Sequence, residues 1–267
     1  MHKTEGKLPL FKFENLARIP GLFHFITTRA GGVSLPPYHS LNLGLHTADN
    51  SQLVRANRTL LATETGIAAD KFLYASQVHS GDVLVVDEKA IYNGIFSTPP
   101  ETDAMITALP GICLMVMVAD CVPVLLFDPV RKVSAAIHAG WRGTVQEITA
   151  NAIHAMVRNF GCKPSGIIAG IGPSIGPCCY EVGEEVNAIV AKKFNTTKGY
   201  LVSQQYTPKS HFDLWYANAK QLTDCGVKPE NIETAELCTQ CKPGIFFSSR
   251  AADGITGRFA AGICIRE

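Results

Sequence analysis

Apolar residues along this chain cluster in short runs separated by Gly, Pro and polar turns, and the densest concentration lies between Gly111 and Thr144. Residues 112–118 and 122–127 are rich in Val, Leu, Ile and Met without helical spacing, and 132–137 ends in a similar run, so each is read as a buried strand. Pro123 predicts a bend or a sheet edge in the second. Further strands are expected at Leu10–Phe13, Leu22–Thr28, Phe72–Val78, Thr102–Thr107, Ile167–Ile171 and 259–265. A 3.6-residue period marks the helices. Asn50 or Ser51 caps one over roughly 52–65, with Leu53, Ala56, Leu60 and Leu61 on its apolar face and Gly66 after its end. Thr144-x-x-Glu147 has the pattern of a capping box, followed by Ile148, Ala152, Ala155 and Met156 at helical spacing up to Gly161. A third helix is expected near Glu184–Phe194 and a fourth behind Asp213, with Leu214, Ala217 and Leu222 inward. Residues 88–101 are turn-rich and read as exposed, and 29–47 as an ordered loop long enough to serve binding. The mixture predicts one α+β domain with mixed sheets and flanking helices.

Composition changes this picture little. With 267 residues, 46% hydrophobic positions and a formal net charge of +1, the chain can bury a full core. Lys and Arg are dispersed, so nucleic acid is not expected as a partner. No apolar leader opens the sequence and Asp120 breaks the longest apolar run, which predicts a cytoplasmic protein without a membrane partner. Nine Cys is an odd count that favours free thiols and a metal over a disulfide framework.

The chemistry sits where the strands end. Asp120-Cys121 separates two apolar runs, His138 closes a third, and His79 follows the Phe72–Val78 strand, so Cys121, His79 and His138 form a plausible transition-metal set with one position left open. Behind His138, Gly140 and Gly143 allow a tight turn, Trp141 offers a flat face, and Arg142 precedes a helix N-terminus suited to an anion. Arg29 opens the 29–47 loop and is the second candidate for an anion partner. Cys178 and Cys179 are expected to point different ways from an extended backbone, one to the site and one to the core. Cys238-x-x-Cys241 is a weak zinc or redox signal by itself, because zinc wants four ligands and no second C-x-x-C exists.

The motifs TTRAGGVS (27–34), SLNLGLHTAD (40–49), QVHSGDV (77–83), TDAMIT (102–107), ADCVPVLLFDP (119–129), AAIHAGWRGT (135–144), GPSIGPCCYEVG (172–183) and CTQCKPGIFFSSRAADGITGR (238–258) span nearly the whole chain in order. In them the chain resembles the YfiH-like or laccase-domain family, described as polyphenol oxidases and as purine nucleoside phosphorylases. The resemblance implies a layered α/β/β/α fold shared with cytotoxic necrotizing factor catalytic domains. It implies Zn2+, or copper, on His79, Cys121 and His138, which would also be the catalytic residues. It further implies phosphorolysis of adenosine, inosine and methylthioadenosine with adenosine deaminase activity beside it, nucleoside and phosphate being the partners. Substrate binding is expected of Arg29, Asn42 and Arg142. Two other readings compete: a metal-free amidase with Cys121 as nucleophile and His138 as base, of the kind that removes L-Ser from UDP-MurNAc-L-Ser in peptidoglycan editing, and a copper-loaded laccase-like oxidase. A nucleotide-sensing module would explain a pocket but not its ligand-type residues.

Overall fold

The computed structural model of the protein describes residues 1–4, 6–204 and 207–266. In chain order the strands are β1 (His2–Lys3), β2 (Leu10–Lys12), β3 (Leu22–Thr27), β4 (Phe72–Tyr74), β5 (Val83–Val85), β6 (Ala104–Thr107), β7 (Cys113–Val118), β8 (Val122–Asp128), β9 (Val133–Ala139), β10 (Ile168–Ile171), β11 (Leu201–Gln204), β12 (Thr207–Phe212), β13 (Ile232–Thr234) and β14 (Phe259–Ile265). The helices are α1 (Glu14–Ala17), α2 (Ser51–Thr65), α3 (Glu88–Tyr92), α4 (Trp141–Val145), α5 (Ile148–Phe160), α6 (Glu184–Phe194) and α7 (Leu214–Asp224). One sheet runs β1-β2-β3-β14-β7-β4 and a second β13-β10-β8-β9-β6-β5, with β11-β12 as a separate hairpin. Both large sheets are mixed: β4 with β7, β5 with β6 and β10 with β13 are parallel pairs, and the remaining neighbours are antiparallel.

The two-residue period of the strands builds the layers. Along β7, Leu114, Val116 and Val118 face the second sheet and meet Leu125, Phe127 and Ala136, whereas Cys113, Met115 and Met117 face outward beneath Leu61 of α2. Along β8 and β9, Val122, Val124, Leu126, Ala135 and Ile137 face the opposite way, against Ile153 and Met156 of α5 and Leu222 of α7. The order of layers is therefore helix, sheet, sheet, helix. Buried on both faces, the central strands carry near-continuous apolar runs. Among the described residues no helix is long and apolar enough to cross a membrane.

Several expectations are corrected. Pro123 marks no edge: it is the second residue of β8, between β10 and β9, and β10 begins to pair only at Val124, so the missing N–H falls beyond that ladder. The inner face of α2 is Val54, Asn57, Leu61 and Thr65, rotated from the apolar stripe because Asn57 is used inside. Its amide accepts from Val33 N and donates to Ser34 Oγ and to the Ser40 and Asn42 carbonyls, which locks the 29–47 loop. The capping box does not form. Thr144 lies within α4, where its hydroxyl accepts from Asn218 Nδ2, and Glu147, at φ 61°, breaks the chain between α4 and α5. Within 88–101, α3 forms under an Asp87 cap (Ala90 N to Asp87 Oδ1, 2.8 Å) and Ile95 is buried.

Candidate metal centre

The Phe72–Val78 strand ends early, at Tyr74, and the chain reaches His79 by another device. Gln77 lies along the end of β7 and imitates a strand: its Nε2 donates to Met117 O and its Oε1 accepts from Met117 N, both at 2.8 Å. The next turn places His79 at φ 61°, a left-handed conformation uncommon for a residue with a Cβ. Across the site Asp120 adopts φ 90° and turns Cys121 toward the histidines. Asp120 is held at both carboxylate oxygens, by Thr239 Oγ1 and Arg250 N at 2.6 Å each, and is thereby committed to the junction. His138 shares the parity of Ala136 in β9 and points into the layer between the sheets.

One sulfur and two imidazoles converge there. Ligand atoms of His79, Cys121 and His138 lie within 4.8 Å of one another, with Cys121 Sγ 3.8 Å from His79 Nε2. The two rings meet edge to face at 4.9 Å between centroids. Gly140 is required by this closeness, since a Cβ there would stand 2.8 Å from His79 Cδ2 and 3.0 Å from Cys121 Sγ. Asp103 supports the set from behind. Its Oδ1 is 2.7 Å from His138 Nδ1, and its Oδ2 accepts from Val78 N (3.1 Å) and Ser80 N (2.7 Å), the residues flanking His79. His138 Nε2 is left to face the site.

The charges follow from this packing. Burial pushes the Cys121 thiol up, but the neighbouring charge of His138 and hydrogen bonding to both imidazoles overcome it and draw it down to about 6. Burial likewise opposes charge on His138, and the Cys121 thiolate with the Asp103 carboxylate reverses this and holds it at about 9. Asp103 is itself desolvated, yet the bonds from His138 and Ser80 keep it below the usual carboxylate range. The pair reads as thiolate and imidazolium in the absence of an ion, and a thiolate is the form that ligates a metal.

A cavity of about 800 Å³ opens over this centre. Arg58, Arg250 and Arg258 line it with His46, Tyr74 and Tyr180. Arg58 stacks on Tyr74 at 3.7 Å and Arg250 lies over Tyr180 at 5.3 Å. The residues expected to bind substrate stand elsewhere. Arg29 donates to His39 O and Pro243 O beside a separate, smaller pocket. Asn42 is buried, donates to Thr47 Oγ1 and Asp49 Oδ2, and accepts from Gly44 N and Arg258 N. Arg142 rests on Trp141 at 4.4 Å, outside the cavity lining. No local pattern identifies the three lining arginines. They come from α2, from a turn at Arg250 and from the irregular stretch just before β14, and only the tertiary fold brings them together.

The chain is similar to known proteins over almost its whole length. Residues 23–266 match the family profile described as multi-copper polyphenol oxidoreductase laccase. A protein of Bacteroides thetaiotaomicron named purine nucleoside phosphorylase is 36% identical over 259 residues, covering 96% of each chain. Adenosine deaminase RL5, from an unknown prokaryotic organism, is 34% identical and covers 96% of this chain and 98% of its own. The crystal structure of YlmD from Geobacillus stearothermophilus superposes with a TM-score of 0.88 at 32% identity, over 100% of this chain and 98% of that one.

Proposed function

The chain belongs to the multi-copper polyphenol oxidoreductase laccase family, and from that membership and the cavity's chemistry we propose that it is a purine nucleoside phosphorylase with adenosine deaminase activity, acting on adenosine, inosine and methylthioadenosine. The observation that carries this reading is that one cavity joins the His79, Cys121 and His138 donors to three arginines and two tyrosines. Relatives bearing both activity names support it.

Zinc fits the donor set. A low-lying thiolate and two imidazole nitrogens leave one coordination position open, and Asp103 occupies the other nitrogen of His138 as an outer partner that fixes the ligand's tautomer. His79, Cys121 and His138 would hold the ion, which when bound supplies Lewis-acid polarisation to the departing or attacked group. The set offers donors for a single ion, which suits this chemistry better than the coupled copper centres of a phenol oxidase, although such a site can also take up copper.

In phosphorolysis the C1′–N9 bond breaks, a phosphate oxygen bonds to C1′, and the base leaves with a proton at nitrogen. Arg58, Arg250 and Arg258 are the groups able to hold phosphate by charge-assisted hydrogen bonds. Tyr180 and Tyr74 carry Arg250 and Arg58 on their faces and so position those two guanidinium groups in the cavity lining. Deamination replaces the C6 amino group by oxygen from water and makes no use of an anion site.

Incubation with inosine and phosphate should yield hypoxanthine and ribose 1-phosphate, and adenosine should yield adenine with some inosine. Omitting phosphate should stop base release and leave deamination running. Base release at an equal rate without phosphate would make the protein a hydrolase and sink the phosphorylase reading. The line Asp103, His138, Cys121 also has the geometry of an acid-oriented base and a thiolate nucleophile, which favours the amidase as the second reading. Loss of serine from UDP-MurNAc-L-Ser, dependent on Cys121 and without reaction of either nucleoside, would establish that reading instead.

A further inference from the structure

A second thiol cluster lies apart from the His79, Cys121 and His138 set. Cys178 and Cys179 do not diverge as expected from an extended backbone. They sit in a tight turn after β10, in which Cys179 N and Tyr180 N both donate to Gly176 O at 2.9 Å, so both sulfurs turn to one side. Cys238 and Cys241 lie in the turn after β13. The two turns are locked in register by Ser174 N to Leu237 O (3.2 Å) and Thr239 N to Ser174 O (3.0 Å). The outcome is four sulfurs within 4.8 Å of one another, with Cys178 and Cys179 at 3.6 and 3.3 Å from Cys241. The weak C-x-x-C thus acquires its second pair from a vicinal Cys-Cys that no linear spacing rule picks out.

These distances decide between two uses of the thiols. All four are free, and the gaps are far longer than the roughly 2.0 Å of a disulfide. Around a tetrahedral ion with bonds of about 2.3 Å, sulfurs stand about 3.8 Å apart, within the observed range. Gly176 N also donates to Cys238 Sγ at 3.3 Å, and an N–H aimed at sulfur favours its thiolate form. A cation at their centre would displace the thiol protons and hold the four sulfurs together, and all-sulfur tetrahedral sites select zinc or iron.

We propose that Cys178, Cys179, Cys238 and Cys241 bind a structural zinc ion that ties the turn after β10 to the turn after β13. With four protein ligands the site is closed and takes no substrate. Its consequence reaches the cavity through the backbone. Thr239, between the two C-x-x-C cysteines, bonds Asp120 Oδ1, Ile175 N donates to Asp120 O at 2.9 Å, and Tyr180, next to Cys179, lines the cavity wall. The ion fixes the wall beside Cys121 without touching the reacting atoms, and its presence does not depend on the reaction proposed above.

The test is metal analysis of three proteins purified under reducing conditions without added metal: the full chain, a His79→Ala/Cys121→Ser/His138→Ala variant and a Cys178→Ser/Cys241→Ser variant. The first variant should retain a full equivalent of zinc. After exchange with Co2+ it should display the intense thiolate-to-cobalt absorption of a four-sulfur tetrahedral site. The second should lose one equivalent relative to the full chain and unfold at a lower temperature. A first variant that folds by circular dichroism but carries no zinc and no such cobalt spectrum would overturn the proposal, and so would a mass lower by two hydrogens, showing a disulfide. Equimolar iron in place of zinc would overturn the choice of ion. Should the second variant fail to fold, the cobalt spectrum of the first decides alone.

Discussion

Asp103 joins two parts of the site that the sequence keeps apart, because one carboxylate oxygen grips the His138 ring and the other the backbone on both sides of His79. An outer partner of this kind sets ligand orientation, and its loss typically costs about 10–100-fold in metal affinity or activity. Asp103→Asn should therefore lower zinc affinity and kcat/KM by about that factor with the circular dichroism spectrum unchanged, and equilibrium zinc competition measures it. Unaltered zinc affinity would remove Asp103 from the positioning role. Arg250 carries a second prediction at this scale. Its backbone bond to Asp120 survives truncation, so Arg250→Ala should raise the KM for phosphate by about 10-fold or more, the worth of a charged hydrogen bond, and move the KM for nucleoside less. Phosphate saturation curves decide it, and equal shifts for both substrates would refute an anion role. His79, Cys121 and His138 are legible in sequence because polar residues end apolar strands there, whereas Asp103 stands just before β6 and shows its role only when the fold brings it behind His138. The arginines are not, because exposed and cavity-facing arginines look alike without the fold.

The long runs at β7, β8, β9 and β14 are legible for a similar reason, since burial on both faces leaves an unbroken apolar signal. Short elements are not. The stretch after Tyr74 keeps a strand-like composition, but its pairing with β7 is completed by the Gln77 side chain, and side-chain mimicry of a ladder has no periodicity. Thr144 and Glu147 fail as a capping box because the Thr144 hydroxyl is taken by Asn218, a partner 74 positions away. Gln77 makes a prediction for this scale. Gln77→Ala removes both partners of the Met117 backbone, and leaving such buried groups unpaired costs about 1–3 kcal/mol. Urea unfolding should show that loss, with weaker zinc binding because the approach to His79 is no longer pinned. A variant as stable as the parent would show that water replaces the amide at no cost.

At the scale of the whole molecule, the two sheets are joined at one end by a seam in which Phe13 presses on Gly170 of β10 and stacks on His24 of β3. His24 is 1% exposed, and its Nε2 accepts from Phe13 N at 2.9 Å, so it is a neutral acceptor in the folded chain. Burial first, then the charges of Lys12 and His2, pull it from the ordinary 6.5 down to about 3. The sign follows from proton counting. Between these values the unfolded chain binds a proton at His24 that the folded chain does not, so stability from this residue is fully present above about 6.5 and falls as pH drops toward 3. At roughly 1.4 kcal/mol per pH unit, the loss across the window is on the order of a few kcal/mol. Protonation also turns the acceptor into a donor facing the Phe13 N–H, which opens the seam from inside. His24→Gln retains a carbonyl oxygen for that N–H and has no proton to bind. Its unfolding free energy, from urea titrations at several pH values, should therefore fall less between pH 6.5 and 4 than that of the parent, whatever other groups contribute to both. Parallel curves for the two proteins would mean that His24 does not set the acid sensitivity of the seam.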